Sequence, residues 1–266
     1  MDTTSNAESL SEAWRPAGAA NRERRHGAGP CLVDAGDSSG EEDSAARTRR
    51  RFASEAAARK YAGSLGGTAT HWREVSCIRA GLSGVSAGSR VLDLPSGTGR
   101  LLPLLVAMGF RVTEADSSPH MVELARAHAE AQGLGQGTEF RVADAFATGF
   151  PDGAFDAILS NRLFHHFSEA AVRRRCLSEL SRICRGPIVV SFFCTASLDA
   201  VMFRFRHWLS RRTPSDRIPI PLDRFGADAR ACGLRVVRIL PTRGGVSKQW
   251  YGVLERAEAK AGPFPA

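Results

Sequence analysis

Apolar residues recur along this chain with two spacings that alternate. His71–Leu82 sets Trp72, Val75, Ile78 and Leu82 three and four residues apart, which predicts a helix. Arg90–Leu94 is a short apolar run closed by Asp93 and Leu94, and it predicts a buried strand. Gly99–Met108 returns to helical spacing through Leu101, Leu102, Leu104 and Leu105. Strands are then expected at Phe110–Ala115, Thr138–Val142, Phe155–Ser160 and Ile188–Phe193. Ser118-Pro119 opens the helix after the second strand, with Gly133 as its stop. Ser168 is expected to cap a later helix that Arg185-Gly186-Pro187 ends. Leu198–Arg212 reads as an amphipathic insertion rich in aromatics and arginine, and Leu222–Cys232 as another helix. Leu234–Leu240 and Ser247–Leu254 are two strands around Thr242-Arg243-Gly244-Gly245. Strands and helices joined by short links predict an α/β, doubly wound, mostly parallel sheet.

The flanks read differently. Residues 1–45 have no periodicity and mix a basic cluster (Arg22, Arg24, Arg25) with an acidic one (Glu41, Glu42, Asp43), so a disordered tail is expected. A helical extension follows over residues 46–86, its Ala-rich pattern already visible from Ser44, with Phe52 and Tyr61 as anchors. The core domain spans 87–256, with 196–221 as an insertion, and 257–266 is a flexible tail.

Composition narrows the classes. Hydrophobic residues make up 43% of the 266, enough for a sizeable core. No apolar run approaches the ~20 residues that span a bilayer, and the polar N-terminus lacks a secretory pattern; a cytoplasmic protein is expected. The six cysteines (31, 77, 176, 184, 194, 232) form no C-x-x-C pair, which argues against a disulfide framework or a metal site. A net charge of +8 admits a nucleic-acid partner. However, only Lys60, Lys248 and Lys260 are lysines among 36 basic residues, and the charge is spread along the chain. A small-molecule partner is therefore preferred. The oligomeric state is not legible.

The chemistry concentrates in Arg90–Arg100, RVLDLPSGTGR. A strand, a turn with Gly97 and Gly99, and a helix start bring backbone N–H groups close to a ligand, and the helix N-terminus favours negative charge. The third glycine of a dinucleotide turn, G-x-G-x-x-G, is missing. Asp93 followed by Gly97-x-Gly99 resembles instead the first motif of class I S-adenosylmethionine (SAM)-dependent methyltransferases, D/E-x-G-x-G-x-G, with Pro95 where the family has its first glycine. Pro95 can neither donate a hydrogen bond nor adopt φ > 0.

Further segments match the family in order. Asp116-Ser117-Ser118-Pro119-His120-Met121 is similar to its D-x-S-x-x-M/L pattern, and a carboxylate there accepts from the ribose hydroxyls. Asp116 is preferred to Glu114 for this role. Asp144-Ala145 ends the third strand, where the family takes the adenine amino group and ring. Phe150–Ile158 is similar to the F-P-D-x-x-F-D-x-V segment and is read as structural. Asn161 occupies the fourth-motif position, facing the methionine part or the acceptor.

The resemblance implies a seven-stranded sheet with an antiparallel last strand, SAM as cofactor, and methyl transfer to an O, N or C atom of a small molecule. It implies cofactor contacts from Asp93, Pro95, Ser96, Gly97, Gly99, Asp116, Ser117, Met121, Asp144, Ala145 and Asn161. His165 and His166 are candidate general bases, since imidazole exchanges protons near neutral pH. The helical extension is expected to form part of a lid. Phe52, Tyr61, Trp72, the 164–167 loop, Phe203, Phe205, His207 and Trp208 are expected around the acceptor. An RNA methyltransferase and a non-catalytic SAM-fold binding or regulatory protein stay open. A nicotinamide enzyme is disfavoured by the missing glycine and the closing hairpin.

Overall fold

Central strands of a parallel sheet are covered on both faces, so they form where the chain is apolar without alternation. In the computed structural model, which describes residues 43–52, 69–211 and 217–257, this holds for β1 (Arg90–Asp93), β4 (Ala157–Ser160) and β5 (Ile188–Phe193), which are almost wholly buried. The other strands are β2 (Arg111–Asp116), β3 (Glu139–Val142), β6 (Leu234–Pro241) and β7 (Gln249–Arg256). The sheet order is β3-β2-β1-β4-β5-β7-β6. β1 to β5 are mutually parallel, and β7 runs antiparallel between β5 and β6. The predicted closing hairpin is thus present, with a register shift between Val236 and Arg238.

The described helices are α1 (Ser44–Phe52), α2 (Ala69–Gly81), α3 (Leu102–Ala107), α4 (Pro119–Ala131), α5 (Ala170–Ile183), α6 (Leu198–Leu209) and α7 (Leu222–Ala231). Alternate strand residues serve two cores. Leu92, Ile158, Val190 and Phe192 pack with Leu177 and Leu180 of α5 and Phe225 of α7. Val91, Leu159 and Val189 pack with Ile78 of α2, Leu102 and Leu105 of α3 and Ala129 of α4. A one-residue slip of any strand would exchange these faces. Asp228 of α7 joins the buried Arg173 of α5 at 2.8 Å, which locks these two helices together.

Several boundaries differ from the sequence expectation. α1 begins at Ser44, where the Ala-rich pattern starts, so it takes in the last two residues of the expected tail, and Ser44 and Ala45 are buried. The Asp43 carboxylate accepts from the Ala46 N–H at 2.8 Å, an acidic cap that starts the helix early. The helix expected from Gly99 starts at Leu102, because Gly99 sits at φ +72° and holds the chain in a turn. Ser168 is not the cap of α5; Glu169 holds that position, and the Ser168 hydroxyl donates to its carboxylate. The tails 1–42 (with Cys31) and 258–266, residues 53–68 of the extension with Tyr61, and Arg212 lie outside the described residues.

Candidate functional site

The strand ends explain where a site can form. Register pairs Asp93 with Glu114 and Asp116 with Val142, so β1, β2 and β3 finish side by side at one edge of the sheet. After β1 the chain turns sharply. The Ser96 N–H donates to Ala115 O at 2.8 Å, and the Gly97 N–H donates to Asp116 Oδ2 at 3.0 Å. Gly97 and Gly99 take φ of +57° and +72°, a region that side chains with a Cβ rarely enter. A Cβ on Gly99 would also lie 3.2 Å from the Ala125 Cβ, so α4 can approach the turn only because the residue is glycine. Pro95 precedes these glycines through a cis peptide bond.

Three carboxyls lie under this turn on one face of the sheet. Asp116 accepts from Gly97 and from the Ser118 N–H at 2.9 Å. Burial raises its pKa, and the backbone donors oppose that rise. Asp93 is buried and its pKa is raised to about 8; desolvation is the main cause, opposed by Arg100 and reinforced by Asp116. Burial also holds Glu114 well above the usual carboxylate range, and Asp93 adds to it. No hydrogen bond satisfies the carboxyl oxygens of Asp93 among the described residues, and the Ser96 hydroxyl is the side-chain donor beside Glu114. Lone carboxylates are costly to bury, so burial favours the protonated form of both members of this strand pair.

A cavity of about 910 Å³, including its open mouth, sits above the strand ends. Its wall takes in Pro95, Ser96, Gly97, Asp116, Ser117, Met121, Asp144, Ala145 and Asn161, so the structure brings together nine of the expected cofactor residues. Asp93 and Gly99 are not on the wall. Both stand behind it, Asp93 as part of the buried acid pair and Gly99 as the contact with α4. Ala45, Thr48, Arg49 and Phe52 of α1 line one side.

Two wall residues are already engaged. Asp144 accepts from the Phe146 N–H and from Arg49, each at 3.0 Å, and the Arg49 guanidinium lies over the Phe146 ring. Asn161 Oδ1 accepts from the Tyr251 hydroxyl at 2.9 Å, which in turn accepts from Gln249. Burial pushes the Tyr251 phenol up, so it stays a donor to Asn161.

The two histidines diverge. The short 3-10 turn Phe164–His166 places His166 on the cavity wall, with its ring edge-on to Phe52 at 5.7 Å. His165 is absent from the wall and stacks on Phe193 at 4.2 Å and 8°.

The expected acceptor side needs correction. Phe205 and Trp208 do not line the cavity; they project to solvent from α6, whose inner face is made instead by Ala200, Phe203 and His207. Trp72 is likewise exposed and rests on the His71 ring. Phe203 packs on His207, away from the wall.

Sequence reading missed a charged cluster. Glu74 of α2 is fully buried and accepts from Arg100 at 2.8 Å and from Arg162 at 2.7 Å. Both arginines reach the cavity wall. Arg162 sits at φ +60°, and its N–H donates to the Ser191 hydroxyl at 2.6 Å. Arg100 also contacts His71. These residues are far apart in the chain, so no local pattern announces them.

The wall thus has acids at two strand ends, a glycine at positive φ in Gly97, the buried Ser96, and two guanidiniums beside the turn. Hydroxyl and amino donors suit the acids, and a carboxylate suits the arginines. A nucleoside joined to an amino acid fits this set. Among the described residues there is no cluster of metal-ligating side chains, and no helix is long and apolar enough to cross a membrane. The five described cysteines are free.

Known proteins are similar to this chain. Residues 91–186 match the family model described as a methyltransferase domain. A demethylmenaquinone methyltransferase of Thermus thermophilus is 39% identical over 132 residues, covering 48% of this chain and 58% of that protein. A ubiquinone biosynthesis O-methyltransferase of Methylocella silvestris is 36% identical over 95 residues, covering 36% of each. The chain therefore spans between about a third and three fifths of the length of these curated relatives. Magnesium protoporphyrin IX methyltransferase of Synechocystis PCC 6803, solved with bound SAH (the demethylated product of SAM), superposes with a TM-score of 0.64. It is 18% identical, over 79% of this chain and 98% of that one, and the likeness is one of fold.

Proposed function

We propose that this chain, whose residues 91–186 match the model of a methyltransferase domain, is a class I SAM-dependent methyltransferase that methylates a small molecule with SAM as donor. One observation carries the reading: four successive strand-end segments, at Pro95–Gly97, Asp116–Ser117, Asp144–Ala145 and Asn161, converge on one cavity. Ligands of open α/β sheets bind beyond the carboxyl ends of the strands. Bound there, SAM supplies a sulfonium-activated methyl group.

The protein's part is to hold and to exclude water. Asp116, fixed by two backbone amides, meets the ribose hydroxyls, and Asp144 and Ala145 meet the adenine. Arg100, held by Glu74, meets the methionine carboxylate beside the glycine turn. Tyr251 occupies the Asn161 carbonyl, which leaves the Asn161 amide to donate into the cavity. α1 closes over the site, and Phe52 sets the tilt of His166. His166 is the residue positioned to take a proton from an acceptor O–H or N–H, a step needed only if the acceptor is protonated. The relatives named for menaquinone and ubiquinone biosynthesis favour a phenolic or quinol-type acceptor.

The test is transfer of labelled methyl from SAM to a panel of phenols, hydroquinones and amines. Transfer to one class, lost in His166→Ala, supports the reading. SAM binding with no transfer to any of them, or to a cell extract, would overturn the enzyme reading in favour of a non-catalytic SAM-binding protein.

A further inference from the structure

Surface helices of globular proteins turn their apolar stripe toward the core. Helix α6 does the reverse. Its inner side is made by the buried Ala200 and the half-buried Phe203 and His207. Its outer side carries Leu198, Val201, Met202, Phe205, Trp208 and Leu209, all more than half exposed, with Trp208 at 73%. On a helical wheel these six fall within an arc of roughly 120°. Exposed Arg204 and Arg206 stand on opposite edges of that arc, and the sole acid in the helix is Asp199.

The helix is held in this orientation. Ser197 caps it by accepting from the Ala200 N–H at 3.2 Å. The Leu198 and Asp199 N–H groups donate to Gly245 and Val246 at 2.9 and 3.0 Å. Lys248 Nζ lies 4.6 Å from the Phe193 ring centre and 4.8 Å from that of Phe203, pinning the inner side. The apolar stripe therefore stays outward.

We propose that α6 is an interfacial membrane-binding helix that seats the protein on a bilayer containing anionic lipid. The stripe would enter the headgroup–acyl boundary, and Arg204 and Arg206 would meet lipid phosphates on either side. An apolar face with Trp, Phe and Leu, bordered by basic residues, is what such helices present. Charge selects this occupant. Pairing of two copies along the stripe would line four arginines along one seam with only two Asp199 carboxylates to offset them. The chain's net charge of +8 also favours an anionic surface.

The position adds a consequence, which rests on the methyl-transfer reading. α6 leaves β5 beside Phe193, which stacks on His165, and the return segment donates from the Ile218 N–H to His165 O at 3.1 Å. The bilayer surface would thus lie on the side of the protein that carries the turn presenting His166 to the cavity.

The experiment is co-sedimentation of the full chain with vesicles of phosphatidylcholine alone and of phosphatidylcholine with phosphatidylglycerol, without SAM or acceptor. Binding is expected to the anionic vesicles and to weaken as salt is raised. Phe205→Ser with Trp208→Ser, and separately Arg204→Glu with Arg206→Glu, should each weaken it by on the order of tenfold or more. Because these side chains are exposed, melting temperatures should be unchanged, which separates lost binding from lost fold. Failure of the wild-type chain to bind anionic vesicles would overturn the proposal. So would equal binding by the variants, or an oligomer in sedimentation velocity that Phe205→Ser with Trp208→Ser converts to monomer. The assay involves no methyl transfer, so its failure leaves the enzymatic reading standing.

Discussion

The two halves of the cleft are built by different means. On the glycine-turn side, the wall is backbone held by close main-chain contacts: Gly97 donates to Asp116, Asp116 accepts from Ser118, and Gly99 lies against Ala125. On the other side, the wall is assembled from side chains on separate elements: Phe52 from α1, Arg162 after β4, His166 from the 3-10 turn, with Glu74 of α2 tying two of its arginines. A constraint of the first kind tolerates few residue types, whereas one of the second kind can be rebuilt for different acceptors. The difference is one reason a shared donor site can serve varied chemistry.

Breaking the side-chain half at its buried charge should have the largest effect. Glu74→Gln removes the buried carboxylate that the mostly buried Arg100 and Arg162 guanidiniums share. We expect a loss of about 3 kcal/mol and a melting temperature lower by roughly 6–12 °C in calorimetry. A melting temperature within a degree or so of wild type would show that α2 does not depend on this cluster.

The next test falls on the backbone half. Asp93 keeps its proton to about pH 8 when folded, whereas an unfolded aspartate loses it near pH 4. Between those values the folded state binds more protons, so its stability falls as pH rises. Asp93→Asn removes Asp93's share of this dependence and leaves that of Glu114. The variant should melt with wild type at about pH 4 and become more stable by up to a few kcal/mol at about pH 8. A pH-independent difference would mean that Asp93 is solvated.

The two histidines sharpen the comparison inside the acceptor half. His166→Ala should lower turnover by roughly 10²-fold with little change in stability. His165→Ala should cost on the order of 1 kcal/mol through the lost stack on Phe193, with turnover near wild type. Equal effects of the two substitutions on turnover would remove the distinction.

The same division explains what the sequence revealed. The sheet, the closing hairpin and nine wall residues were legible because strand periodicity and glycine turns are local. The acids close their strands or follow within two residues: Asp93 and Asp116 end β1 and β2, and Asp144 lies two past the end of β3. The Glu74–Arg100–Arg162 cluster was not legible, since its members are separated by 26 and 88 positions. Phe205 and Trp208 were misplaced for a related reason. Periodicity finds an apolar stripe, but which way it faces is decided by anchors elsewhere, here Gly245, Val246 and Lys248. Early starts and late starts, at Ser44 and Leu102, came from Asp43 capping and from the φ of Gly99.

The central claim is that the strand-end cavity is a SAM site, and titration calorimetry of SAM and SAH tests it most directly. Wild-type protein should bind both in the micromolar range, while Asp116→Ala, which removes the ribose partner and the anchor of the Gly97 amide, should lose on the order of 100-fold in affinity. Gly97→Val, which puts a β-branched side chain at φ +57°, should do the same. Folded wild-type protein that binds neither compound, or variants that bind as wild type does, would contradict it.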